Sequence, residues 1–146
     1  MPFLTHDRIE LAIEQLECAL HIFLKCQSYV STLTLAGAAE EVLGKALSHQ
    51  GKETTLQVAH RIPDLIHRTF HGKPLSWSDF AEQENFVRNA VKHMRKSSDA
   101  AIEVDLELAA IWMLVRACDN YQRLGLAPSD QMNAFNDWFL ENVGGI

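Results

Sequence analysis

Apolar residues recur at intervals of three and four positions along most of this chain, which is the spacing that places side chains on one face of an α-helix. Thr5 or Asp7 precedes the first stripe, and Glu10 lies three residues after Asp7, a pairing typical of a helix N-terminus. We find no stretch with the apolar–polar alternation of a β-strand. The pattern therefore predicts an all-α fold. The first stripe consists of Ile9, Ile13, Leu16, Leu20 and Phe23.

A second helix is predicted over residues 35–47, a run rich in small side chains. Residues 29–34 just before it are rich in β-branched and hydroxyl-bearing side chains, which lowers helix propensity. Gly37 and Gly44 would weaken the helix unless a neighbour packs closely against them. We therefore expect another helix to pass near this one.

Glu40 and Glu41 lie side by side in this run, and the sequence allows two interpretations of them. They are solvated or salt-bridged surface carboxylates, or one of them turns inward and binds Arg88 through a charge-assisted pair. In the second case they support the candidate site described below.

Residues 54–71 form a shorter segment that follows Gly51, a residue suited to a helix C-terminus. Pro63 interrupts it. Because proline lacks an amide hydrogen and suits the first turn of a helix, we expect two short helical pieces here.

One edge of this segment repeats polar side chains at intervals of four, three and four residues. Such spacing can present metal ligands from one helical face. A metal site is one hypothesis for this edge, and the other is that the edge lines a groove. The residues are His60, Asp64, His67 and His71.

Three more helices are predicted in the second half of the chain. The first runs from about residue 78 to 96, the second from about 105 to 123 with Gly125 at its end, and the third begins at Pro128 and runs through Trp138 and Leu140. The architecture predicted is an up-and-down bundle of four to five main helices with short additional helices, in a single domain of residues 1–146. The stripe of the 105–123 helix consists of Leu108, Ile111, Trp112, Val115 and Cys118.

Composition limits what this bundle can do. The 13 Lys and Arg residues against 19 Asp and Glu give a formal charge of −6, so any RNA site must be local. Cys18, Cys26 and Cys118 lack metal-ligand spacing and fall among apolar positions, so we interpret them as reduced core residues of a cytosolic protein. Neither a leader pattern nor an apolar run of roughly 18 residues is visible, and we expect a cytoplasmic protein with no membrane partner.

Candidate chemistry is concentrated at Arg88 and His93. The sequence shows no motif for a nucleophilic side chain and no phosphate-binding glycine loop, so we expect no cofactor. A neutral histidine can remove the 2′-hydroxyl proton of RNA, and an arginine can stabilise the charge that develops on phosphorus, with no metal required. Neighbouring cations favour the neutral imidazole. These cations are Arg88, Lys92, Arg95 and Lys96.

Arginine, a polar residue, three further residues and histidine on a late helix of a small helical bundle resemble the signature of the HEPN superfamily (higher eukaryotes and prokaryotes nucleotide-binding). Arg88, Asn89 and His93 match its commonest form, and residues 36–45 are similar to the second helix of bacterial members. The resemblance covers roughly residues 5–124.

The resemblance implies a metal-independent endoribonuclease whose active site forms across a homodimer. Arg88 would stabilise phosphate, Asn89 would orient phosphate or water, and His93 would act as acid or base. Lys92, Arg95 and Lys96 would bind RNA in the shared cleft. It also implies a toxin of a toxin–antitoxin or phage-defence system, with an antitoxin protein as a further partner.

One position departs from that pattern. In family toxins that an antitoxin inactivates by nucleotidyl transfer, a tyrosine lies two residues after the histidine, and here Arg95 occupies that place. Two other interpretations stay open. In the first, the chain is a non-catalytic helical interaction or nucleotide-binding module of the same fold. In the second, Arg88 is a surface residue paired with Glu84, four residues earlier.

Overall fold

The computed structural model describes residues 1–144 and confirms the all-α bundle. No strand occurs in that range, and none of its helices combines the length and apolar composition that a membrane crossing needs. A π-helical turn at Ile22–Cys26 and a 3₁₀ turn at Ser97–Asp99 complete the regular structure. The α-helices are α1 Arg8–His21, α2 Tyr29–His49, α3 Thr55–His71, α4 Trp77–Glu84, α5 Phe86–Ala90, α6 Leu106–Arg123 and α7 Asp130–Asn142.

Helix α2 is the centre of the bundle and packs against α1 and α6. Leu16 of α1, Leu43 of α2 and Leu114 of α6 are completely buried in the core between them. Helix α7 closes one side through its aromatic residues, because the rings of Phe135 and Trp138 lie 5.6 and 4.7 Å from the ring of Phe23. The expected partner surface of these aromatics is therefore the bundle itself.

The start of α2 is helical despite its low helix propensity. The hydroxyls of Thr32 and Thr34 donate to the carbonyls of Ser28 and Val30, four residues earlier, at 2.9 and 3.0 Å. Bonded in this way, the hydroxyls do not compete for the helix's own amides. Burial against α1 and α6 then outweighs intrinsic preference.

Two expectations about helix breaks were wrong. Helix α3 runs unbroken through Pro63, where two pieces were expected. Its ends are well fixed, since Thr54 and Gln57 form a reciprocal capping box and Gly72 ends the helix in the left-handed region at φ 69°. These caps stabilise both ends of α3, so the helix tolerates the one hydrogen bond that is lost because Pro63 has no amide hydrogen.

The second wrong expectation is the continuous helix over residues 78–96. Asn85, with φ −100° and ψ 4°, separates α4 from α5, and α5 ends at Ala90. His93 therefore lies just after the turn that follows α5, and its amide donates to the Asn89 carbonyl at 3.1 Å.

The predicted buried positions also need correction. Leu108 and Trp112 of the α6 stripe are 49% and 48% exposed, because the buried face of α6 is centred on Leu114 and Ala117 instead. Cys18 and Cys26 are exposed, and only Cys118 is in the core. All three thiols are free. Gly145 and Ile146 lie outside the described residues.

The close approach expected at Gly37 is confirmed and gives a prediction. A Cβ atom at Gly37 would lie 2.6 Å from Cδ of Arg88, whereas one at Gly44 would meet nothing closer than 3.4 Å. We expect Gly37→Ala to lower the free energy of unfolding by about 1–3 kcal/mol through overpacking. Gly44→Ala should be neutral or stabilising, because alanine is the better helix former. Urea unfolding measures both, and equal stability of the two variants would contradict the close approach.

The cysteines give a second prediction. Burial, and then the negative charges of Glu17 and Asp119, raises the pKa of the Cys118 thiol to about 12. We expect a thiol-specific reagent at mildly alkaline pH to modify Cys18 and Cys26 in the native protein and Cys118 only after unfolding. Cys18→Ser/Cys26→Ser is the control and should not react while folded. Rapid native labelling of that variant would show that Cys118 is accessible.

Candidate functional site

Glu40 of α2 lies inside the protein, only 6% exposed, between two arginines. Nη2 of Arg116 on α6 donates to Oε1 of Glu40 at 2.8 Å. Nη1 of Arg88 on α5 donates to Oε2 at the longer distance of 3.4 Å. One of the two carboxylates at this point does turn inward to Arg88, as the second interpretation proposed, while Glu41 is exposed.

Arg88 reaches Glu40 by crossing the surface of α2 at Gly37. Its Cδ and Cγ atoms occupy the space that a side chain on Gly37 would fill. The Arg88 side chain is 12% exposed and its buried Nε has no hydrogen-bond partner. The alternative pairing of Arg88 with Glu84 on the surface is absent from the described residues.

Arg116 is a residue that sequence reasoning missed. It is buried and also contacts the junction between α4 and α5, where Nη2 donates to Oδ1 of Asn85 at 3.0 Å and Nη1 to the Glu84 carbonyl at 3.4 Å. A signal was present, since Arg116 lies three residues after Met113 and four before Asn120, on the buried face of an amphipathic helix. A charged residue on such a face requires a partner.

Asn120, one turn further along α6, extends this polar network to α3. Its Nδ2 donates to the Glu40 carbonyl at 3.2 Å, and its Oδ1 accepts from the amide and the hydroxyl of Thr55, both at 2.9 Å. The start of α3 is thus fixed to the same turn of α2 that carries the buried carboxylate.

His93 lies at a different place, in an open cleft of about 390 Å³ that we call the His93 cleft. Asn89 and Arg95 line it with His93, which is exposed. Glu82 and Asp99 line it as well, so the cleft is less basic than the sequence suggested. A histidine beside amide, guanidinium and carboxylate groups can exchange protons with a bound molecule and bind an anionic group.

The structure separates Arg88 from this cleft. Arg88 lines a second, polar cavity of about 330 Å³ together with Glu40 and Glu41. Lys92 and Lys96 are exposed on the segment after α5 but do not line the His93 cleft. Of the predicted site, the structure thus brings Asn89, His93 and Arg95 together, and it places Arg88 with Glu40.

The polar edge of α3 is not arranged as a metal site. Asp64 accepts from Arg68 and from the Leu75 amide, which lowers its pKa, and the ring nitrogens of His60 and His67 contact the carbonyls of Leu75 and Lys73. Within residues 1–144, no group of three or more His, Cys, Asp or Glu side chains is placed to hold a metal ion. The edge instead fixes the loop between α3 and α4.

Exposed apolar side chains border the His93 cleft. Phe86, 57% exposed, and Ile102 belong to its lining. Phe86 also lines a groove of about 440 Å³ with Leu108 and Trp112. We call these four residues the apolar border, and exposed apolar surface of this kind marks interaction sites in proteins.

Comparisons with known proteins returned no relative. No protein-family model, curated protein or solved structure matches this chain.

The buried carboxylate gives a third prediction. Glu40→Gln keeps the shape of the side chain but leaves two buried guanidinium groups without a counter-charge, so we expect a loss of about 3 kcal/mol in the free energy of unfolding. Glu41→Gln, the exposed neighbour, should change it by less than about 0.5 kcal/mol. Urea unfolding measures both. Equal effects would show that the pairing with Arg88 and Arg116 contributes nothing.

Proposed function

We propose that this chain is a metal-independent endoribonuclease of HEPN type whose active site lies at a homodimer cleft. The observation that carries the proposal is the shared position of His93, Asn89 and Arg95 in one solvent-accessible cleft. An exposed histidine can reach a substrate, and the arginine and the amide beside it can bind phosphate oxygens.

The proposed reaction uses the RNA's own 2′-hydroxyl as nucleophile. His93 removes the hydroxyl proton, the 2′-oxygen forms a bond to the adjacent phosphorus, and the bond from phosphorus to the 5′-oxygen breaks. A protonated imidazole, His93 of the second copy, donates the proton that the leaving 5′-oxygen requires. The products are a 2′,3′-cyclic phosphate and a 5′-hydroxyl, and Asn89 orients the phosphate between them.

A second copy of the chain supplies what one copy lacks. Arg88 points into another cavity than His93, so within one copy the two residues do not share a cleft. The apolar border around Phe86 supplies a surface on which two copies can associate beside their His93 clefts. In the dimer, Arg88 would reach the phosphate by releasing its 3.4 Å contact with Glu40, which Arg116 still pairs.

The charge of the whole molecule does not prevent RNA binding at this place. Arg95 lines the His93 cleft, and Lys92 and Lys96 are exposed on the same segment after α5, so two copies would place six cations in or near the shared cleft. These cations offset Glu82 and Asp99.

An activity of this kind suits the toxin of a toxin–antitoxin or phage-defence system, with an antitoxin protein as partner. Because Arg95 stands where related toxins have a modifiable tyrosine, control of this chain would use binding by the antitoxin rather than modification of that residue.

A second candidate function is a non-catalytic helical interaction module. The observation that favours it is the burial of Arg88 against Glu40, because an arginine held inside the bundle has a structural role whether or not it meets RNA. His93 is an acid–base residue in the first function and has no catalytic role in the second.

The fourth prediction separates them. Purified protein incubated with structured RNA in EDTA should produce fragments with 5′-hydroxyl ends, and His93→Ala should reduce the rate at least about 100-fold, the usual contribution of an acid–base residue. His21→Ala, which removes another exposed histidine, is the matched control and should cleave like the wild type. Absence of cleavage, or cleavage that His93→Ala leaves unchanged, would favour the interaction module.

A further inference from the structure

The break between α4 and α5 leaves the backbone carbonyl of Glu84 without its helical hydrogen-bond donor. In a continuous helix the Glu84 carbonyl would accept from the amide of Arg88, four residues later. That bond is absent at the break, where Asn85 leaves the helical conformation. Water or another donor must then satisfy this carbonyl, and a protein donor here would stabilise the break.

Arg116 supplies that donor and fixes the break in two further ways. Its guanidinium donates to the Glu84 carbonyl, to Oδ1 of Asn85 and to Oε1 of Glu40. One rigid planar group thereby connects the middle of α2 with the residue at which the chain turns into α5.

We propose that Arg116 is a positioning residue that holds the α4–α5 break and so sets where the Arg88–His93 segment lies. Its effect on catalysis rests on the proposed ribonuclease function, whereas its effect on the segment does not. Helix α5 has only five residues and packs against the core through the partly buried Val87, so its own apolar packing fixes it weakly. Arg88 reaches Glu40 from one side, and Arg116 reaches Glu40 and Asn85 from the other.

Arg116→Lys tests the contribution of the planar guanidinium group, because it keeps the positive charge and removes the planar group. A single ammonium group on a flexible stem cannot reproduce a planar fork that contacts Glu40, Asn85 and the Glu84 carbonyl together. Arg123→Lys is the matched control, because Arg123 is also on α6 but binds Asp119, one turn away on the same helix. Asn85→Ala removes one contact of the fork and serves as the second variant if Arg116→Lys does not fold.

The primary experiment is hydrogen–deuterium exchange of the full chain. We expect the amides of residues 85–93 to exchange at least tenfold faster in Arg116→Lys than in the wild type, with α1 and the middle of α2 unchanged. Arg123→Lys should match the wild type in all of these segments. Unchanged exchange at residues 85–93, or an equal increase in every helix, would overturn the positioning role.

The second readout is RNA cleavage by the same proteins. We expect Arg116→Lys to lower kcat at least tenfold while KM changes less than twofold, because the RNA-binding cations Lys92, Arg95 and Lys96 are retained and the reacting groups are displaced. A change confined to KM would overturn the positioning role. If the wild type does not cleave RNA, the proposed function fails, and the exchange result alone decides whether Arg116 fixes the segment.

Discussion

One buried carboxylate holds α5 and α6 to the middle of α2 in this protein. Glu40 is inside the bundle between two guanidinium groups, and a charge in that place is tolerated only when its partners surround it. Because the partners come from α5 and α6, the pairing joins three helices that are far apart along the chain. Gly37 belongs to the same constraint, since only glycine leaves room for Arg88 to cross α2.

This constraint divides the predicted site into two parts. Arg88 is held inside the bundle, while His93 lies past the end of α5 in an open cleft. Arg88, with a side chain 12% exposed, is held against Glu40, whereas the exposed His93 is free to meet a substrate. The proposed ribonuclease joins the two parts across a pair of chains, and the apolar border is the surface on which the pair would form.

Local signals in the sequence predicted the helices well, because a cap or a stripe depends on neighbouring residues. Asp7, one of the two expected caps, begins α1, and Gly125 ends α6 as expected. The break at Asn85 was not predictable in this way, since its stabilising contacts come from Arg116, 31 residues away. Long-range contacts also determine which of the two carboxylates turns inward. Nothing in the sequence distinguishes Glu40 from Glu41, yet only Glu40 faces the two arginines.

The most direct test of the account is a crystal structure of the protein in the assembly that it forms in solution. We predict a symmetric pair of chains that meet over Phe86, Ile102, Leu108 and Trp112, with the two His93 side chains facing one shared cleft. A monomer, or a pair whose His93 side chains lie on opposite outer surfaces, would contradict it.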